Sequence, residues 1–292
     1  MNNHTLSRNG KTTAARVILV TGANGYLGRG IVKQLLDDGQ IVIAADYSLD
    51  GVDSRAIKKE CDLFTIKEPF PFFDKPDVLL HLAWRNGFVH NSDTHLNDLP
   101  GHVSFIKRMI EGGIKKICIM GTMHEVGFYE GSIDERTSCN PLNLYGIAKN
   151  ALRDASKLLC QESNVLFQWL RGFYIVENTS YGNSIFSKIV AAEKKGDRLF
   201  PFTTGLNQAD FLDYSIFCLQ TATAVEQDEI LGIINICSGR PQKLADAVEG
   251  FILKNNLKIK LDYEKYPDRP YDSKAVWGNS NKIDLIMKKR KW

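Results

Sequence analysis

Short apolar runs and longer amphipathic stretches take turns along this chain, and their two periods separate strand from helix. Val17-Ile18-Leu19-Val20-Thr21 is β-branched and aliphatic, which predicts a buried strand. From Arg29 to Asp38 the apolar residues Ile31, Val32, Leu35 and Leu36 fall at helical spacing, and Gly39 closes the helix. Ile41 to Ala45, a short stretch within Lys59 to Leu63 that ends at Asp62, Val78 to Leu82, and Lys116 to Gly121 read as further strands. A long helix from about Asp93 to Gly113 precedes the last of them. Repeated strand–helix–strand units predict an α/β fold, a doubly wound parallel sheet with helices on both faces. Val165 to Arg171 reads as a sixth strand. Beyond Gly172 the pattern changes. Residues 172–182 are irregular, helices are predicted over 183–196, 215–226 and 243–255, and a strand and turn over Gly232 to Gly239. The chain therefore divides into a polar leader (1–15), a main Rossmann-type domain (16–172, with a late return near 206–240) and a smaller C-terminal α/β lobe (173–292).

Composition narrows the class without choosing a function. The 292 residues are 43% hydrophobic and 24% charged, ordinary for a globular protein, and a net charge of +3 gives no reason to expect nucleic acid or a membrane surface as partner. No apolar run approaches the roughly 20 residues that a membrane helix needs. The first fifteen residues are polar and lack the apolar stretch of a secretory signal. Six cysteines are scattered with no Cys-x-x-Cys pair, which predicts buried free thiols, a cytoplasmic setting and no metal site. The basic run Lys288-Lys289-Arg290-Lys291 reads as a solvated tail.

Candidate chemistry gathers where predicted strands end. Gly22, Gly25 and Gly28 follow the first strand at intervals of three. Gly22 permits a tight turn, Gly25 lets the backbone approach a pyrophosphate, and Gly28 lets helix and strand lie close. The free N–H groups and the positive end of the helix dipole then face the phosphates, with Tyr26 and Leu27 inside the turn. Asp46 ends the second strand, where a carboxylate accepts hydrogen bonds from both ribose hydroxyls and repels a 2′-phosphate. That favours NAD(H), while Arg55, near in sequence, keeps NADP(H) possible. Asp62 is placed to reach an adenine amino group. Leu82, Ala83 and Trp84 sit at the carboxyl end of the fourth strand, on the ligand side of such a sheet. His81 inside that strand reads as a packed, hydrogen-bonded core residue. Tyr145 and Lys149, four apart on a helix, share a face. For Tyr145 to act as a base at neutral pH its pKa has to fall by about three units, roughly 4 kcal/mol in favour of the anion. Burial opposes that fall; a Lys149 ammonium and a positively charged nicotinamide ring promote it.

The glycine turn, Asp46, the His81-Leu82-Ala83 turn and Tyr145-Gly146-Ile147-Ala148-Lys149 together resemble the extended short-chain dehydrogenase/reductases. More narrowly, the chain is similar to the NAD-dependent epimerase/dehydratase group that acts on nucleotide sugars, from about Arg16 to the C-terminus. The resemblance implies that Tyr145 and Lys149 are catalytic, with a Ser or Thr just after the fifth strand. An ungapped count back from Val126 puts Met123 at that position, and a methionine cannot donate a hydrogen bond. Thr122, one residue earlier, is taken as the hydroxyl. The 4,6-dehydratases of the group carry Asp-Glu next, where this chain has His124-Glu125. Eliminating water needs a proton donor as well as a base, so the missing aspartate argues against a dehydratase. His124 and Glu125 join Trp84, Asn178, Asn183 and Arg269 as substrate-facing candidates, Arg269 for a nucleotide diphosphate. Ala209 stands where similar enzymes have the arginine of Arg-Asp-Phe. The resemblance also implies a homodimer formed through a helix pair that includes the Tyr145 helix. The expected activity is a reductase/dehydrogenase at C4 of a nucleotide-activated 4-keto-6-deoxyhexose. The His81-Leu82-Ala83-Trp84 turn, which looks like that of small sugar 4-reductases, favours it. A nucleotide-sugar 4-epimerase with retained NAD would use the same residues, and a non-catalytic dinucleotide-binding regulator is the reading from a different class.

Overall fold

The computed structural model describes residues 4–5, 13–180, 184–268 and 273–290. Seven parallel strands form the large sheet: β1 (Val17–Thr21), β2 (Ile41–Asp46), β3 (Ile57–Glu60), β4 (Val78–His81), β5 (Lys116–Thr122), β6 (Leu166–Gly172) and β7 (Gly232–Ile236). Their order across the sheet is β7-β6-β5-β4-β1-β2-β3. The winding reverses between β1 and β4, which opens a crevice at the carboxyl ends of these two strands. Around the sheet lie α1 (Tyr26–Asp37), α2 (Thr94–Gly112), α3 (Leu144–Glu162), α5 (Tyr214–Glu226) and α7 (Asn281–Lys289), while α4 (Ile185–Lys195) and α6 (Leu244–Lys254) belong to the smaller lobe.

Alternation within the strands separates two cores. Ile18 and Val20 of β1 face one side with Ile31, Val32 and Leu35 of α1, Phe217 and Ala222 of α5 and Ile283 of α7. Leu19, between them, faces the other side with Phe105, Ile106 and Met109 of α2 and Leu152 and Cys160 of α3. The smaller lobe has its own core, where Phe186, Ile189 and Val190 of α4 meet Val248 and Phe251 of α6. A second sheet connects the two parts. Tyr174–Val176, Gln208–Asp213, Ala275–Gly278 and Gly131–Ile133 run parallel in that order, and Pro241–Lys243 pairs antiparallel with Gln208–Asp213.

The stretch 172–182, expected to be irregular, contains the strand Tyr174–Val176, and several element ends shift. α1 begins at Tyr26, three residues before the predicted start, because the glycine turn passes straight into helix. β3 ends at Glu60 rather than at Asp62. The Cys61 N–H still reaches the Asp46 carbonyl at 2.9 Å, and Asp62 then turns the chain by accepting the Phe64 N–H at 3.0 Å. The six cysteines are free thiols, four of them buried. Among the described residues, no helix is long and apolar enough to cross a membrane, and no cluster of His, Cys, Asp and Glu could hold a metal ion.

Candidate active site

The turn after β1 leaves no room for a side chain at Gly22 or Gly28. Gly22 has φ +69°, and a Cβ there would lie 2.6 Å from the Ala83 nitrogen; at Gly28 it would lie 2.6 Å from the Ala23 carbonyl oxygen. The Gly25 N–H closes the turn on the Gly22 carbonyl at 3.1 Å. α1 then opens at Tyr26 with Gly25 as its N-cap and no side chain on its first N–H groups. An uncapped N-terminus with a closely approachable backbone suits a diphosphate. Leu82 and Ala83 hold the β4 exit against this turn, their N–H groups reaching the Thr21 carbonyl at 3.1 Å and hydroxyl at 3.5 Å. Asp46 is partly buried at the end of β2. Its Oδ2 accepts the Asn24 N–H at 2.9 Å and its Oδ1 the Tyr47 N–H at 2.8 Å, which leaves lone pairs on both oxygens for ribose hydroxyls. Asp62 lies near the phenol of Tyr47, the residue after Asp46, and its charge raises that phenol's pKa. Arg55 is turned away from this place. It pairs with Asp53 and Asp37 at 2.7 Å, and Asp37 ends α1, about 16 Å from Tyr26 by helix rise. The residues present thus fit NAD. Two partners of Tyr26 were not legible beforehand. Its phenol faces Glu177 of the smaller lobe, and its carbonyl accepts the Tyr214 hydroxyl at 2.6 Å.

α3 carries Tyr145 and Lys149 to the end of β5. Asn143 caps the helix, its Oδ1 accepting the Gly146 N–H at 2.8 Å. Asn91 Oδ1 accepts the Leu144 N–H at 3.2 Å, and the His90 carbonyl takes the Tyr145 N–H at 2.9 Å. The Thr122 hydroxyl lies beside the Tyr145 phenol, close enough to stabilise its anion. Burial pushes the phenol up to about 12; the Thr122 hydroxyl pulls against this, and the nearby Glu125 charge adds to it. Thr122 is the last residue of β5, after which the chain enters a 3₁₀ turn over Met123–Glu125. That turn explains why counting back from Val126 misses the hydroxyl: Met123 packs into the core, and Thr122 meets the phenol. Lys149 is 3% exposed. Its Nζ donates to the Met120 carbonyl at 2.9 Å and lies 4.0 Å from the centre of the Trp84 ring. Burial lowers its pKa to about 7, with Glu125 opposing the shift.

One substrate-facing expectation is corrected. Glu125 is 0% exposed, and both its oxygens lie against Trp169 Nε1 at 2.9 and 3.0 Å, with the Arg171 guanidinium closing the pair. The 3₁₀ turn rolls it under the sheet end, where it neutralises a buried arginine instead of meeting a ligand. Trp84 is partly buried: its ring carries Lys149 and stacks on His102 at 4.6 Å, and its Nε1 donates to His95 Nδ1 at 3.0 Å. His81 is a core residue bonded to Thr21 and His102. His124 lies beside Tyr145, ring centres 6.0 Å apart. Asn178 is exposed, two residues beyond the Tyr174–Val176 strand. Ala209 is buried within a paired strand. Asn183 and Arg269 lie outside the described residues. His90, stacked on Tyr145 at 5.7 Å, was not among the expected residues; no motif marks it, because a loop and not a repeat brings it there.

The sequence profile of the NAD dependent epimerase/dehydratase family matches residues 18–237. The chain is 43% identical over 269 residues to the dTDP-6-deoxy-L-talose 4-dehydrogenase (NAD(+)) of Aggregatibacter actinomycetemcomitans, covering 89% of this chain and 98% of that protein. Among solved structures it resembles the UDP-glucose 4-epimerase of Thermotoga maritima with UDP-glucose (TM-score 0.77, 19% identity, 92% of this chain and 91% of that one). The NAD complex of the Thermus thermophilus UDP-glucose 4-epimerase is similar to the same degree (TM-score 0.76, 17% identity, 94% and 93%). At these identities the two structures speak for the fold alone.

Proposed function

The chain belongs to the NAD-dependent epimerase/dehydratase family, and from that membership we propose that it is a dehydrogenase/reductase working with NAD(H) at C4 of a nucleotide-linked 6-deoxyhexose. The observation that carries this reading is the Thr122 hydroxyl beside the Tyr145 phenol, with Lys149 buried one turn on, at the same end of the large sheet as the open N-terminus of α1. The 43% identity to a dTDP-6-deoxy-L-talose 4-dehydrogenase supports the substrate class.

Bound NAD(H) supplies or takes the hydride at C4. Tyr145 gives its proton to the C4 oxygen in reduction and takes it back in oxidation, and Thr122 orients the phenol. A phenol held at about 12 keeps its proton at neutral pH, the state that reduction needs. Oxidation needs the anion, and a charged Lys149 next to it favours that form. Gly22, Gly25 and Gly28 with Tyr26 and Leu27 take the pyrophosphate, Asp46 the adenosine ribose, Asp62 the adenine, and Leu82 and Ala83 line the cofactor from the β4 exit. His124 faces the sugar, and Asn178 is kept as a contact from the smaller lobe. The chain is read as a cytoplasmic homodimer. Free thiols fit a reducing compartment. Exposed Ile147 and Leu158, eleven apart on α3, with exposed Leu96 on α2, suit a helix-pair interface.

The test is NADH oxidation with nucleotide-linked 4-keto-6-deoxyhexoses, wild type against Tyr145→Phe. The expected result is turnover that falls by about 10²–10⁴-fold in the variant. No oxidation with any such sugar overturns the reading, and interconversion of sugar nucleotides without net redox change makes the protein a 4-epimerase.

A further inference from the structure

Five histidines surround the cleft, and they divide by what their ring nitrogens do. His81 is bonded through both, Nδ1 to the Thr21 hydroxyl at 2.8 Å and Nε2 to His102 Nδ1 at 2.9 Å. His95 is also bonded through both. Nδ1 accepts from Trp84 Nε1, which leaves Nε2 to donate to the Val89 carbonyl at 2.9 Å. His81, His95 and His102 thus form the wall that carries Trp84 and Lys149. His90 and His124 differ. Their ring centres are 4.3 Å apart; His90 stacks on the Tyr145 ring at 5.7 Å and 11°, and His124 meets it edge-on at 6.0 Å. Neither places a ring nitrogen in a hydrogen bond with a described protein group. Both are only partly buried, so those nitrogens are open to a ligand. Because the His90 carbonyl holds the Tyr145 N–H, the loop that carries His90 is fixed to the helix of the catalytic tyrosine.

We propose that His90, with His124 beside it, binds the sugar hydroxyl next to the reacting carbon and selects sugars that carry one there. The proposal rests on Tyr145 working at the C4 oxygen. In a 6-deoxyhexose C4 has two neighbours, C3 with a hydroxyl and C5 with the methyl group. A pair of imidazoles against the phenol suits the hydroxyl side and has nothing to offer a methyl. Burial lowers the pKa of both rings, His124 to about 4, so at neutral pH each presents one donor and one acceptor. A sugar without the hydroxyl would cover these nitrogens and leave them unpaired, which is how a polar subsite rejects a deoxy analogue.

The experiment is calorimetry on the NAD(+)-loaded protein with dTDP-6-deoxy-L-talose and its 3-deoxy analogue, using wild type, His90→Phe and His90→Asn. Phenylalanine keeps the ring stack on Tyr145 and removes the nitrogens; asparagine restores a donor and an acceptor. His90→Phe is expected to weaken the hydroxylated sugar about tenfold, the worth of one hydrogen bond, while the 3-deoxy analogue and NAD(+) bind as before. His90→Asn is expected to recover part of the loss. An equal loss for both sugars, or no loss for either, overturns the proposal. Wild-type turnover is measured alongside. Binding without turnover overturns the dehydrogenase reading and leaves the two-sugar comparison to judge His90; no sugar binding by the wild type overturns both.

Discussion

The carboxyl end of the large sheet holds two regions made in opposite ways. On the α1 side the cradle is backbone: a positive φ at Gly22, a close approach at Gly28 and helix N–H groups left without a side-chain cap. On the α3 side the cleft is side chains, with Thr122, Trp84, Tyr145, Lys149 and five histidines brought in from separate segments. The cleft desolvates its titratable groups, and their pKa values move accordingly: Tyr145 up to about 12, Lys149 down to about 7, His102 down to about 3. A place for a phosphate can be built from chain conformation, because the anion needs only N–H groups held in position. A place for moving a proton has to be built by burial, because that is what shifts acids and bases. Substitutions in the first region therefore act on the ligand directly, through shape, hydrogen bonds or charge, and those in the second act also through the groups whose protonation burial has shifted.

Glu125 tests this contrast with the largest effect. It is fully buried against Trp169 and Arg171. Glu125→Gln keeps an acceptor for the indole but leaves the Arg171 charge uncompensated, a loss of about 3–5 kcal/mol in folding stability. Chemical denaturation should show that loss, while the nucleotide-sugar Kd of the folded fraction stays put. A variant as stable as wild type with weakened sugar binding would return Glu125 to the substrate side.

The same division decides what could be read from the sequence. The glycine turn, the strands of the large sheet and the Tyr145/Lys149 pair are local patterns, set by spacings of three, two and four residues. Glu125 and Arg171 are 46 residues apart, and His81 and His102 are 21 apart. They meet because β5 lies beside β6 and α2 packs beneath β4, and periodicity does not encode which side chain the packing will pair. Thr122 was in hand as a candidate, but its contact with Tyr145 depends on a 3₁₀ turn that an ungapped count cannot see. Asp46 behaves differently. Its position at a strand end was legible, and the same position lets it accept the Asn24 N–H of the glycine turn.

A smaller effect is expected from acid. His102 is buried and its pKa in the folded protein is lowered to about 3 by burial. The unfolded chain binds its proton near pH 6.5, so between pH 6.5 and 3 the unfolded state holds more protons and stability falls as pH falls. Each pH unit in that window removes about 1.4 kcal/mol for a group of this kind, so about 2 kcal/mol is lost by pH 5. His81, also shifted well down by burial, adds a loss of the same sign. His102→Gln keeps a hydrogen-bonding partner for His81 and removes one titrating ring. Thermal unfolding from pH 7 to pH 5 should therefore show a shallower decline in Tm for the variant than for wild type; parallel declines would mean that the His102 site does not hold its imidazole neutral.

The smallest effect belongs to the cradle. Asp46 accepts two backbone N–H groups and keeps lone pairs for the ribose hydroxyls. Its negative charge also repels a 2′-phosphate, and Arg55, which could have answered that phosphate, is held by Asp37 and Asp53. Asp46→Asn keeps one oxygen acceptor in place and removes the charge. The glycine turn should survive, so stability should change little. Discrimination between NADH and NADPH, read as the ratio of their kcat/KM values, should fall by about tenfold, the order expected for one charge-assisted hydrogen bond lost and one repulsion relieved. If the ratio holds while both cofactors weaken together, Asp46 serves the turn through Asn24, and cofactor choice is made elsewhere. If only NADPH improves, the carboxylate acts by repulsion alone, and the ribose hydroxyls donate their hydrogen bonds to another group.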